Sequence, residues 1–235
     1  MFRDIVSWIY PTYCLWCQIT GQWYVCKACH RSLKSHPELC PICHKHSVDY
    51  QVCLDCRLHT PLHGMIIWFC YHDIIKKAVL KIKYHHVYDL ANFFAHKLHL
   101  LIQTNATLRS NIAHSTNTII TYVPSHRTRK YFVKWYNQSE LLAQSLALLS
   151  WYPCISLISK IKRTQSQAKL NRSQRLSNLI GAFRINTHVE LSGQETVIIV
   201  DDVTTTGSTI TELAQHIHAW YPQTSIWWLV VARNS

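Results

Sequence analysis

Eight cysteines ahead of residue 57 leave this chain few ways to begin folding. They fall in four Cys-x-x-Cys pairs: Cys14/Cys17, Cys26/Cys29, Cys40/Cys43 and Cys53/Cys56. Two residues between thiolates let both sulfurs of a knuckle face one tetrahedral metal. Two such knuckles close a structural site with no open position, so eight thiolates fit two Zn²⁺ ions. Pairing in sequence order is the simplest arrangement, and a cross-braced one is open to the same spacing. The segment carries turn signals at 19–22 and 40–43 and little apolar periodicity. Without metal it would bury too little surface to fold. The competing reading is a redox or disulfide framework, which suits an oxidising compartment. The opening MFRDIVSWIYPTYC has an acid inside it, too short an apolar core and no small-residue cleavage site, so it does not read as a secretion signal. No apolar stretch approaches the length of a membrane span. A cytoplasmic setting is therefore expected, and with it metal ligation rather than disulfides. His30, His44 and His46 lie close enough to substitute as ligands, but eight thiolates place them outside the sites. Cys70 and Cys154 stand alone in apolar surroundings and read as core residues.

The 235 residues suffice for one α/β domain with a small appendage. The spacing divides the chain into a cysteine module over 1–60 and a larger domain over 61–235. A helical pattern runs over 74–102 with a break near His85-His86, and 103–118 is polar and reads as a loop. Apolar runs at 119–123, 154–158, 196–200 and 225–232 then alternate with helical stripes at 137–150 and 209–220, with a helical turn at 174–179. Such alternation predicts an α/β fold, a parallel sheet with helices on both faces.

Charge is distributed unevenly. Residues 119–190 hold eleven Lys/Arg and two Glu, whereas 191–235 hold one Arg and four acids. A basic middle feeding an acidic pair suggests an anionic ligand, a polyanion such as nucleic acid, or both. The plainer alternative is a solvated basic surface.

The acidic pair lies in the run VIIVDDVTTTGST at 197–209. Residues 197–200 read as a buried strand ended by Asp201 and Asp202, followed by a turn and a helix. Ligands of open α/β sheets bind beyond the carboxyl ends of the strands. Hydroxyls and backbone N–H groups at a helix N-terminus cradle phosphate. Two adjacent carboxylates can accept hydrogen bonds from the two hydroxyls of a ribose ring. The chain has five glycines and neither G-x-G-x-x-G nor a Walker A loop, which leaves Gly207 as the candidate cradle. The alternative is an ordinary Asp cap with a Ser/Thr-rich turn.

Two basic segments accompany it. Arg127, Arg129 and Lys130 follow the 119–123 strand, where a loop is placed to hold a diphosphate, Arg127 first among them. Lys134 and Trp135, among Tyr131, Phe132 and Tyr136, interleave cations with rings as single-stranded nucleic acid prefers, although such rings also pack helices. A second cluster over 160–175 has six Lys/Arg and no acid, including Lys162, Arg163, Arg172 and Arg175. Like charges this dense repel unless an anion lies among them.

The 197–209 run resembles the motif by which type I phosphoribosyltransferases bind phosphoribosyl diphosphate (PRPP). The resemblance implies that Asp201 and Asp202 hold the ribose hydroxyls. It implies too that Thr205, Thr206, Gly207, Ser208 and Thr209 wrap the 5′-phosphate, with Mg²⁺ on the diphosphate and ribose oxygens. The whole chain resembles the ComF competence family (the ComFC/GntX group), in which a double zinc ribbon precedes a phosphoribosyltransferase-like domain. That likeness is carried by the cysteine pairs, by AVLKIKY at 78–84, by Val123-Pro124 through NQSELLA at 137–143, and by RTQSQ at 163–167 through RLSNLIGAF at 175–183. One departure stands out: the family's Arg-Gly-Phe is Lys134-Trp135-Tyr136 here. The resemblance implies a part in natural transformation, handling incoming single-stranded DNA on the cytoplasmic side of the inner membrane, with a competence helicase as partner. Two alternatives are a phosphoribosyltransferase acting on a nucleobase or amine, and a zinc docking module beside a vestigial PRPP site.

Overall fold

A parallel sheet needs strands that are buried on both faces, and the four strands that form it here are buried along most of their length. The computed structural model describes residues 13–20, 25–85, 89–125, 136–162, 181–205 and 207–233. Within these, the cysteine module holds two short helices, α1 (Lys27–Arg31) and α2 (Leu54–Arg57). Strand β1 (Leu62–Cys70) follows, then helices α3 (Asp73–His85), α4 (Asp89–Thr104) and α5 (Ala106–His114). Strand β2 (Thr118–Tyr122) leads towards α6 (Gln138–Ser150), and a small antiparallel pair, β3 (Ile158–Lys160) with β4 (Phe183–Ile185), comes next. Strand β5 (Thr196–Thr204), helix α7 (Ser208–Trp220) and strand β6 (Ser225–Arg233) complete the described elements.

The main sheet has the order β1-β6-β5-β2, and each neighbouring pair is parallel. Alternation along the strands sorts two cores. Ile198, Val200, Trp227 and Leu229 face Val79 and Ile82 of α3, Phe94 and Leu98 of α4, and Leu142 and Leu146 of α6. Val197, Ile199, Trp228 and Val230 face Ile210, Leu213 and Ile217 of α7, together with Cys40 and Val52 of the cysteine module. The helical residues recur at three- and four-residue intervals, which puts one apolar stripe of each helix on the sheet.

The cysteine module covers an edge as well as a face. Ser35 bridges Phe69, and Gln51 bridges Gly64, along the outer side of β1. The His36 N–H donates to the Trp68 carbonyl at 2.9 Å, and Val52 donates to His63 at 2.9 Å. An uncovered strand edge would be a template for another chain, so these bonds complete the sheet. A carboxylate anchors the module from the other side. Asp49 accepts from the Thr107 N–H at 3.0 Å and the Thr107 hydroxyl at 2.7 Å.

The architecture is the α/β arrangement expected from the alternation, with five differences in detail. The 103–118 segment is not all loop. It contains α5, started by the Asn105 side chain, which accepts from the Leu108 N–H at 2.7 Å and is paid back by complete burial of Leu108. Strand β1 was not among the expected elements, because buried on both faces it shows no polar alternation. The apolar run at 154–158 makes only a single bridge to the sheet, at Cys154 beside Ile120, and β3 begins at its end. Strand β5 runs on through the acidic pair to Thr204 instead of stopping at it. Cys70 and Cys154 are half-buried rather than core residues. The 174–179 turn lies outside the described residues.

Gly64 sits against the face of the wholly buried Trp227 ring, where an added Cβ would come within 2.3 Å of a ring carbon. The ring is locked between strands and helices and has nowhere to go. Gly64→Ala is expected to destabilise the protein by about 2 kcal/mol, read as a lower midpoint in urea unfolding. An unchanged midpoint would mean that the strand can shift.

Candidate functional site

After β2 the chain passes to α6 on one face of the sheet, and after β5 to α7 on the other. Neighbouring strands whose chains leave in opposite directions open a crevice at their carboxyl ends, the usual ligand position in such sheets. Asp201 and Asp202 lie on β5 at this crevice. Side chains from distant segments meet them there. The Ser139 hydroxyl, in the first turn of α6, donates to Asp201 Oδ1 at 2.8 Å. Lys83 Nζ, near the end of α3, lies 2.6 Å from Asp202 Oδ2, and the two side chains are 23% and 13% exposed. Backbone N–H groups of Asp202 and Val203 turn back onto Asp201 Oδ1 and Asp202 Oδ1 at 2.9 and 2.8 Å.

These contacts set the charges. Burial, and then the Asp202 carboxylate next to it, push the Asp201 carboxyl well above the usual range against the pull of Ser139 and Lys83. Burial alone would lower Lys83, but Asp202 and the Asp201 charge outweigh it and hold the ammonium above its ordinary value. The crevice is thus a carboxylate pair with one lysine, richer in acceptors than in donors. Hydroxyl groups of a diol have what they need to bind there.

Two further bonds hold the partners in place. Asn137, the N-cap of α6, donates from its amide to the Val123 carbonyl at 2.9 Å, which ties the start of α6 to the end of β2. The Tyr136 hydroxyl donates to the Ile82 carbonyl, next to Lys83. Tyr136 is the described residue of the Lys134-Trp135-Tyr136 departure, and here it fastens α3 to the entrance of α6.

Beyond the acids, Gly207 is the N-cap of α7 with a φ of 74°, a left-handed conformation that a side chain would strain. It brings no side-chain cap to the helix, whose first turn carries the positive end of the dipole. Ser208 is buried in that turn, and Thr205 and Thr209 flank it half-buried. Thr206, Arg127, Arg129, Lys130, Lys134, Trp135, Arg163, Arg172 and Arg175 lie outside the described residues. Lys162 is exposed just after β3.

The cysteines gather into two groups of four, Cys14, Cys17, Cys26 and Cys29, and Cys40, Cys43, Cys53 and Cys56, each with its sulfurs within 4.8 Å of one another. The pairing follows sequence order. All ten thiols are free of disulfides. The backbone N–H of Cys26 points at the Cys14 sulfur at 3.4 Å, and that of Cys53 at the Cys40 sulfur at 3.5 Å. Burial opposes ionisation of Cys14 and Cys40, yet such N–H groups win and bring the thiols down to about 6 and about 7. Burial and the neighbouring sulfurs push Cys29 and Cys56 up to about 12. Four thiols crowded in this way can ionise together only around a cation, and four sulfurs are the donor set of structural Zn²⁺. Both groups fit that ion.

The residues that sequence reasoning missed are Lys83 and Ser139. Lys83 follows the apolar stripe of α3 at four residues from Val79, so a cation on the buried side of a helix was the available signal. Ser139 lies in the 137–143 segment that carries the family likeness, but its role was hidden because its partner is 62 residues away.

No family model matches the chain. It is 30% identical over 216 residues to DNA utilization protein YhgH of Salmonella typhi, covering 87% of this chain and 90% of that one. Competence protein F of Haemophilus influenzae is 27% identical over 194 residues, covering 81% and 82%. Competence protein ComFC of Bacillus subtilis is 24% identical over 195 residues, covering 79% and 74%.

Removing the lysine leaves Asp202 enclosed without a countercharge. Lys83→Met is expected to cost roughly 3 kcal/mol of stability by denaturant melt, and a cost near zero would mean that the ion pair is solvated. Asp201 has the opposite sign. Its folded pKa is raised, so the unliganded fold binds its proton more tightly than the unfolded chain does. Stability should therefore fall as pH climbs from the ordinary carboxylate range through that raised value. Asp201→Asn should flatten this fall in melts taken across the window; an equal slope in both proteins would place the titration elsewhere. Metal analysis of the purified chain is expected to give two Zn²⁺, and Cys40→Ser to weaken the second site. Disulfides in place of metal would contradict the ligand assignment.

Proposed function

We propose, for a chain that belongs to the ComF family of competence and DNA-utilization proteins, that it serves DNA uptake in natural transformation as a PRPP-binding factor. In this reading it handles incoming single-stranded DNA on the cytoplasmic side and partners a competence helicase. The observation that carries the proposal is the crevice at the ends of β2 and β5. There a carboxylate pair held by Lys83 and Ser139 stands one short turn before the left-handed Gly207 and the N-terminus of α7.

Each part of the ligand has a counterpart. Asp201 and Asp202 accept from the ribose hydroxyls; Lys83 holds Asp202 in place, and Ser139 fixes the direction of the Asp201 lone pairs. Thr205 through Thr209 surround the 5′-phosphate at the positive end of α7. Arg127, after β2, meets the diphosphate across the crevice. Mg²⁺, which takes oxygen ligands, would be held by the diphosphate and ribose oxygens beside the acids and would screen their charge. Single-stranded DNA is drawn by the basic stretch 119–190, through Arg129, Lys130, Lys134, Trp135, Lys162, Arg163, Arg172 and Arg175. Among the described residues no helix is long and apolar enough to cross a membrane.

Calorimetry with Mg²⁺–PRPP and anisotropy with a labelled oligothymidine test the two halves. PRPP is expected to bind the wild type and to lose binding heat in Asp201→Asn/Asp202→Asn. The oligonucleotide is expected to bind with a steep loss of affinity as salt rises. Diphosphate release that needs an added nucleobase or amine would favour a transferase instead. No PRPP heat at all would overturn the reading of the crevice.

A further inference from the structure

A second cation is buried at this end of the sheet, and nothing in the crevice uses it. Arg233 closes β6 and is 5% exposed. One arm of its guanidinium, Nη2, donates to His44 Nε2 of the second cysteine knuckle at 3.2 Å. The other, Nη1, is buried without a hydrogen-bond partner. Among the described residues no carboxylate forms an ion pair with it. An arginine does not lose its proton in a protein, so among the described residues this charge lies buried beside the His44 ring nitrogen and no carboxylate. Burial pushes its pKa down with no acid to offset it, and burial first, then the Arg233 charge, depresses the buried His36. A guanidinium in this condition is costly to the fold unless an anion completes it.

Its position says which anion. Arg233 is the strand partner of Thr204, three residues ahead of Gly207. Neighbouring strands stand about 4.8 Å apart, so the guanidinium lies on the β6 flank of the Thr205–Thr209 turn, away from β2. It belongs to the junction between the sheet and the second cysteine cluster.

We propose that Arg233, braced by His44, anchors a second oxyanion subsite at this junction, which takes a phosphate-type group. The choice of phosphate over carboxylate rests on the phosphate reading of the neighbouring turn; the buried, uncompensated guanidinium does not. The group can come from a small phosphorylated ligand or from a nucleic-acid backbone, because the planar fork of arginine serves both. The zinc module then contributes to binding through His44 and is more than a cover for the sheet edge.

The test uses the full, zinc-loaded chain. Thermal melts are taken with inorganic diphosphate, with oligothymidine and with chloride at matched ionic strength, on the wild type, Arg233→Met and Asp201→Asn/Asp202→Asn. Diphosphate is expected to raise the wild-type Tm. Arg233→Met should melt higher than wild type without ligand, since it removes an uncompensated charge, and should lose the diphosphate rise. The double aspartate variant should keep that rise, which separates this subsite from the crevice even if PRPP fails to bind there. A rise with diphosphate alone identifies a small-ligand subsite, and a rise with oligothymidine alone a backbone subsite. If Arg233→Met does not fold, Arg233→Lys carries the test, with an expected loss of about tenfold in diphosphate affinity. A diphosphate rise that survives loss of the guanidinium, or no rise with either anion in the wild type, would overturn the proposal.

Discussion

Two carboxylates on consecutive residues repel each other, and the site is organised around that repulsion. Asp201 and Asp202 sit on β5 beside β6, just past Val200, the last residue that pairs with β2. Their coexistence depends on Lys83 and Ser139, which arrive on α3 and α6. Those helices must therefore dock on the same face of the sheet for the acids to be held, and their apolar stripes do this. Trp227, Phe94 and Leu146 belong to one buried cluster with Val79 and Ile82. Packing places the lysine, the lysine holds the acid, and the acids are left poised for a ligand rich in hydroxyl donors.

The cysteine module solves a different problem. The sheet has an edge at β1 and part of a face beyond α7 that the helices do not reach. A segment with so few apolar residues cannot cover them by packing alone. Two Zn²⁺ ions, which the two cysteine groups fit, would give it a fixed shape, and Asp49 with Thr107 clamps it against α5. Module and sheet meet again at His44 and Arg233, so the cysteine module lies within reach of the crevice's far flank.

The run from Val197 to Trp220 was legible because strand, turn and helix each leave a local signature there, and the acids and Gly207 lie within ten residues of sequence. The cysteine groups were legible because metal spacing is local too. Other features were hidden for identifiable reasons. The strand β1 is buried on both faces, so it lacks alternation. Helix α5 depends on one capping asparagine and one buried leucine in an otherwise polar stretch. Lys83, Ser139 and Arg233 gain their roles from contacts between segments far apart in sequence. Arg233 drew no reading from the sequence, and only its burial gives it meaning.

The most direct measurement of the central claim is a crystal structure of the zinc-loaded protein soaked with Mg²⁺ and PRPP. The account predicts a ribose whose hydroxyls lie within hydrogen-bond distance of Asp201 and Asp202, with the 5′-phosphate inside the Thr205–Thr209 turn and Lys83 still on Asp202. A ligand bound away from the ends of β2 and β5, or a crevice left empty at saturating PRPP, would contradict it.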